Sequence, residues 1–176
     1  MVFKILIALS LVLLALAIYM IATLPKVVKI SRSQLIQSSP DKLFRYINNT
    51  RLIQEWNPFL DGDRDVKINY GGPPEGPNAQ WSWEGAKAGA GQATIVESEA
   101  GKRVSVRLDF RKPFHVTNYG EYALLPRGSA TEVTWTINES ALIPRLMSRF
   151  INLERLIGEQ FEKGLAKLKV LAESTN

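Results

Sequence analysis

Hydrophobic residues are distributed along this chain in three ways: a solid run at the start, an alternation through the middle, and a three-and-four spacing at the end. Residues 5–24 read ILIALSLVLLALAIYMIATL, uncharged and bounded by Lys4 on one side and Pro25-Lys26 on the other. About 20 apolar residues at 1.5 Å rise match a hydrocarbon core of roughly 30 Å. A core helix of a soluble domain would show a polar face, and this segment has none. Ala15-Leu16-Ala17 fits the small-residue pattern of a signal-peptide cleavage site. Ile18-Tyr19-Met20-Ile21 carries the apolar run past that site, which suits an uncleaved anchor better. Residues 1–26 are therefore expected to form one N-terminal transmembrane anchor, and residues 27–176 one folded domain.

From Val27 the pattern changes. VVKISRSQLIQ, 27–37, is rich in β-branched residues and predicts a strand. Ser39-Pro40-Asp41 starts a helix: a cap, a proline at the first helical position and an acid in the first turn. KLFRYINN continues it, with Leu43, Phe44 and Ile47 on one side. A second short helix, 51–56, stops before Pro58. Strands follow at 66–70, 79–85, 91–99, 103–110, 115–125 and 130–138, separated by glycine- and proline-rich turns. Within 103–110, Val104, Val106, Leu108 and Phe110 share the face opposite Arg103, Ser105, Arg107 and Asp109. Pro144 opens a long helix to about residue 173, striped by Leu146, Phe150, Leu153, Ile157, Phe161, Leu165 and Leu168. Strands joined by hairpins form an antiparallel sheet, and the amphipathic helix covers one of its faces. The fold class is α+β.

Composition narrows the chemistry. There is no cysteine, which excludes disulfides, thiolate metal sites and a cysteine nucleophile. Hydrophobic residues make up 45% and charged residues 22%, as in an ordinary globular protein. The formal charge of +5 favours anionic surfaces weakly, and membrane lipid fits as well as nucleic acid. The basic residues of the last helix are interspersed with acids and read as a solvated face. Nucleic-acid binding would want a basic stripe with aromatic platforms, which is not found. The expected setting is a membrane crossed once, of bacterial inner-membrane type. Flanking charge does not say on which side the domain lies.

Gly89-Ala90-Gly91 poses the sharpest chemical question, whether it cradles a phosphate. A phosphate loop needs glycines between a strand and a helix, and here they lie between two strands with no following G-K-[ST]. Residues 85–91 therefore read as a hairpin loop with glycine at positive φ. Asp61, Asp63 and Asp65 resemble the opening of a calcium loop, but Val66 and Gly72 occupy its sixth and twelfth positions, so a solvated acidic loop is expected instead. His115 is the only histidine, which removes any multi-histidine metal site. As a general base it would need Asp109 or Glu121 nearby, and an exposed or structural role is the better expectation. Glu84 and Arg107 sit naturally on solvent faces. No cofactor is expected.

Several motifs together resemble the START-like superfamily, also called the SRPBCC or polyketide cyclase/dehydrase-like group: "SSPDKLFRYINN", "EWNPF", "WSWEGAKAGAGQATIVE", "GSATEVTWTIN" and "IGEQFEKGLAKLK". The resemblance spans residues 27–173. It implies the helix-grip fold: six to seven antiparallel strands wrapped around the C-terminal helix, two short helices after the first strand, and an apolar cavity between sheet and helix. Members bind lipids, sterols, quinones or polyketides, and only some are enzymes. No catalytic motif carries over.

Within such a cavity the candidate ligand contacts are Trp56, Trp81, Trp83, Phe110, Tyr119, Tyr122, Trp135, Phe150, Leu153, Ile157 and Phe161. Trp and Tyr combine large apolar area with one polar handle. Alternation puts Trp81 and Trp83 on one face. Gly158 and Gly164 inside the last helix require either a close approach to the sheet or room for a ligand. The first expectation is a membrane-anchored binding module for a hydrophobic small molecule or lipid. The alternatives are a cyclase, dehydratase or hydrolase using His115, Glu84 or a tyrosine, and a structural or chaperone-like domain whose cavity is filled by its own side chains.

Overall fold

The computed structural model describes residues 1–24, 26–139, 142–147 and 151–174. α1 (Val2–Ala22) is apolar all round and has no buried residue. β1 (Val28–Ile36) leads into α2 (Pro40–Asn48), and 3-10 turns follow at Leu52–Glu55 and Pro58–Leu60. Six further strands come next: β2 (Lys67–Gly71), β3 (Gln80–Gly85), β4 (Gly89–Glu99), β5 (Arg103–Lys112), β6 (Val116–Arg127) and β7 (Ala130–Glu139). α3 (Leu142–Met147) and α4 (Leu153–Ser174) close the chain.

The strands form one antiparallel sheet in the order β1-β7-β6-β5-β4-β3-β2. Successive hairpins build it outward from β7 to β2, while β1 returns to pair with the last strand, Val28 facing Glu139 and Ile36 facing Thr131. Register shifts at Ala90/Gly91 and Ile95/Glu97 in β4 bend the sheet. α4 runs along β1 in the same direction. Arg32 bonds Glu154 at 2.7 Å and Glu162, and the Gln37 N–H donates to Glu173 at 2.8 Å. The buried stripe of α4 is Gly158, Phe161, Gly164, Leu165, Leu168 and Ala172.

Capping places α2 where expected: the Ser39 hydroxyl accepts the Lys42 N–H at 3.3 Å, with Pro40 in the first turn and Leu43 and Ile47 buried. The C-terminal helix departs from expectation. It is two helices, because the Asn152 side chain accepts the Arg155 N–H at 2.9 Å and caps a new start for α4. Phe150 lies outside the described residues.

Two loops also differ. Asp63 is not a solvated acid but 8% exposed, and its carboxylate accepts the N–H groups of Lys87 at 2.8 Å and Ala88 at 2.9 Å, tying down the β3–β4 turn. Those N–H donors, Ala88 first, hold its carboxyl below the usual range. Gly89 has φ +68° at the turn of the hairpin, as expected of the glycine loop, but the loop is shorter than 85–91: Gly85 pairs with Gly89, and Gly91 lies within β4. A Cβ on Gly91 would lie 2.5 Å from the Trp83 ring, so this glycine makes room for the indole.

Candidate ligand-binding cavity

The inner face of the curved sheet and the buried stripe of α4 do not meet along their whole length. Between them lies a cavity of about 460 Å³, within the size range of small-molecule sites. It is not filled by the protein's own side chains. Aromatic rings form its wall. Trp135 stacks on Phe161 at 4.1 Å between centroids, Tyr122 lies 5.1 Å from Trp135, and Trp56 stands edge-on to both. A second group, Trp83 against Phe110 at 5.6 Å, lies towards the β3–β4 and β5–β6 turns. Leu153 and Ile157 line the cavity from α4, and Trp81, Val106 and Leu108 from the sheet.

Buried indoles need their N–H satisfied. Trp56 donates to the Tyr46 carbonyl at 3.2 Å and Trp83 to the Ala88 carbonyl at 3.1 Å, so both rings are fixed by backbone carbonyls. Tyr122 differs. It is 6% exposed, lines the cavity, and has no hydrogen-bond partner among the described residues. Burial pushes its pKa up, so the hydroxyl stays protonated and can both donate and accept.

Alternation along β6 and β7 adds four residues absent from the sequence-based set, two of them polar. Asn118, Gly120 and Tyr122 point inward from β6, as Trp135, Ile137 and Glu139 do from β7. Asn118 and Glu139 are each 5% exposed, and the Asn118 amide donates to the Glu139 carboxylate at 2.6 Å. Asn118 Oδ1 is buried and has no partner among the described residues. The cavity is therefore apolar with two separate polar positions, Tyr122 and, four residues back along β6, the Asn118–Glu139 pair.

The same parity removes Tyr119 from the site: it is 55% exposed on the outer face, an odd position beside Tyr122. His115 is exposed and does not line the cavity, and its proposed orienters are engaged elsewhere. Asp109 takes Arg107 and Thr117, both at 2.8 Å, and Glu121 faces Arg103 at 3.7 Å. Glu84 is on the outer surface, paired with Lys112 at 2.8 Å, whose hydrogen bond and charge hold the carboxyl below its usual range. Among the described residues no cluster of His, Asp and Glu is placed to hold a metal ion.

A family profile described as polyketide cyclase/dehydrase and lipid transport matches residues 27–173. The chain belongs to that family. Solved structures share its fold at low identity. Protein MLL2253 from Mesorhizobium loti superposes with TM-score 0.63 at 16% identity, over 85% of this chain and 99% of that one. CV1439 from Chromobacterium violaceum gives 0.60 at 12%, over 85% and 98%. Ara h 8.0201 gives 0.58 at 11%, over 85% and 99%. No curated protein matches the chain.

Proposed function

We propose that this chain is a membrane-anchored binding protein for a hydrophobic small molecule, with residues 1–26 as the anchor and residues 27–176 as the binding domain. The observation that carries it is the unfilled, aromatic-walled cavity of about 460 Å³, lined by Tyr122, which has no hydrogen-bond partner among the described residues. Apolar ligand surface moved there from water contributes roughly 25 cal/mol per Å². Tyr122 and the Asn118–Glu139 pair then orient a ligand carrying a hydroxyl, carbonyl or similar polar end. Of the earlier set, Trp56, Trp81, Trp83, Phe110, Tyr122, Trp135, Leu153, Ile157 and Phe161 are the proposed contacts. The family's description includes lipid transport, which is consistent with such a ligand. α1 has the length and apolarity to cross a bilayer, with mean hydropathy 2.9.

Native mass spectrometry of the full chain, extracted in mild detergent, tests the reading. A discrete adduct that survives detergent exchange and is extractable into organic solvent is expected. Unliganded protein that also fails to take up a long-chain alcohol or a quinone would overturn it. The enzymatic alternative has one observation in its favour, the buried Glu139 carboxylate at the cavity wall. An acid–base role would fall there, since neither His115 nor Glu84 reaches the ligand space.

A further inference from the structure

The register of the sheet puts the cavity mouth and the end of the anchor at the same pole of the domain. Val28, the first residue of β1, faces Glu139, the last of β7, and both lie at the end carrying the β3–β4 and β5–β6 turns. At that end the cavity is lined by exposed Lys87 and Phe114 of those turns, Lys112 at the end of β5 and Met147 of α3. Only residues 23–27 separate α1 from β1, a span of at most about 17 Å even when fully extended.

Both poles carry exposed apolar side chains, Leu35, Leu125 and Val170 among them at the far one, but at this pole they include Phe114 and Met147, which line the cavity. Phe114 is 48% exposed, Leu142 50%, Met147 40% and Ile151 38%. The turns at the far end, 100–102 and 128–129, contain only Ala, Gly, Lys and Ser. Clustered large apolar side chains on a soluble face mark an interaction surface. Of the two lysines on the rim, Lys112 is paired with Glu84 at 2.8 Å, whereas exposed Lys87 suits an anionic lipid surface.

We propose that this rim beds into the surface of the bilayer that α1 crosses, so that the cavity opens onto lipid and not onto bulk water. This rests on α1 being an anchor and deepens the binding reading: the ligand enters from the membrane. A tether alone permits several domain orientations, and the one in which the start of β1, the cavity-lining turns and Phe114 all face the bilayer satisfies the tether and the apolar cluster together.

The absence of cysteine makes the test clean, because one introduced thiol is the only thiol. The full chain carrying F114C, L142C or S129C is labelled with a nitrobenzoxadiazole fluorophore. Each protein is then reconstituted in vesicles of phosphatidylethanolamine and phosphatidylglycerol containing a doxyl-labelled lipid. Quenching several-fold stronger at 114 and 142 than at 129 is expected. Absent quenching at 114 and 142 in chains that resist alkaline extraction overturns the docked orientation and leaves the anchor standing. Chains released by alkali overturn anchor and docking together. Strong rim quenching in a chain that binds no ligand by mass spectrometry supports docking while the cavity reading fails.

Discussion

Asp63 shows how a single carboxylate can be misread from its neighbours. In sequence it is the middle of a D-x-D-x-D run, and in the fold its oxygen replaces solvent for the Lys87 and Ala88 N–H groups. Its folded pKa is depressed, so its stabilisation is complete above the carboxyl's unfolded value and is lost as pH falls through the folded one. Asp63→Asn should lower the melting temperature at neutral pH, and the gap to wild type should close in acid. Thermal melts across pH read both. A second residue-scale prediction concerns Gly120, which lines the cavity, and whose missing Cβ would meet nothing closer than Thr136 O at 3.6 Å, Leu108 at 3.9 Å and Val106 O at 4.0 Å. Gly120→Leu should fill the cavity, abolish the adduct in native mass spectrometry, and leave the circular dichroism spectrum unchanged. A variant that retains the ligand would place binding elsewhere. Much of this wall was legible beforehand, because the period-two rule assigns whole strand faces at once: Trp81 went with Trp83, and Phe110 with Val106. Tyr119 and Tyr122 were both put forward although their parity allows only one inside. Following that parity from Tyr122 would have found Asn118. Glu139 needed the register with β6, which no local pattern supplies.

At the scale of elements, the seven strands were legible because alternation and turn glycines agree, whereas the break before α4 was not. The three-and-four stripe runs on through Asn152, so periodicity alone predicts one helix, and only the cap geometry separates α3 from α4. The two helix glycines make a sharper case, since both break helix propensity yet have different neighbours. A Cβ at Gly164 would sit 2.9 Å from the Trp135 ring and 3.0 Å from Pro58, atoms fixed in the core. Gly164→Ala should therefore destabilise by about 1–3 kcal/mol, despite the gain of about 1 kcal/mol in helix propensity. At Gly158 the obstacle is the Arg32 guanidinium, the end of a flexible side chain. Gly158→Ala should be neutral or slightly stabilising, as displaced surface ion pairs are worth about 0–1 kcal/mol. Urea denaturation of the two variants separates the cases. Equal destabilisation would mean that Arg32 is held as rigidly as Trp135.

For the whole molecule, the anchor and the cavity explain each other better than either stands alone. On the proposed reading, a poorly soluble ligand partitions into lipid, so a free domain would spend its time away from the supply, while a five-residue span to an anchored α1 would keep the cavity within reach of it. That arrangement requires α1 to persist in the mature protein. Cleavage after Ala17 would release the domain and make the apolar rim at Phe114 and Leu142 a liability in water. Intact-mass measurement of membrane-extracted protein should therefore find residues 1–17 still attached. Introducing one arginine at Leu13, near the centre of α1, should weaken insertion by about 2.5–3.5 kcal/mol and shift the chain from the carbonate-resistant to the soluble fraction. If the arginine variant loses its membrane association and its bound ligand together while its domain remains folded, loading occurs from the bilayer. Retention of ligand by the released domain would instead show that the cavity fills from solution.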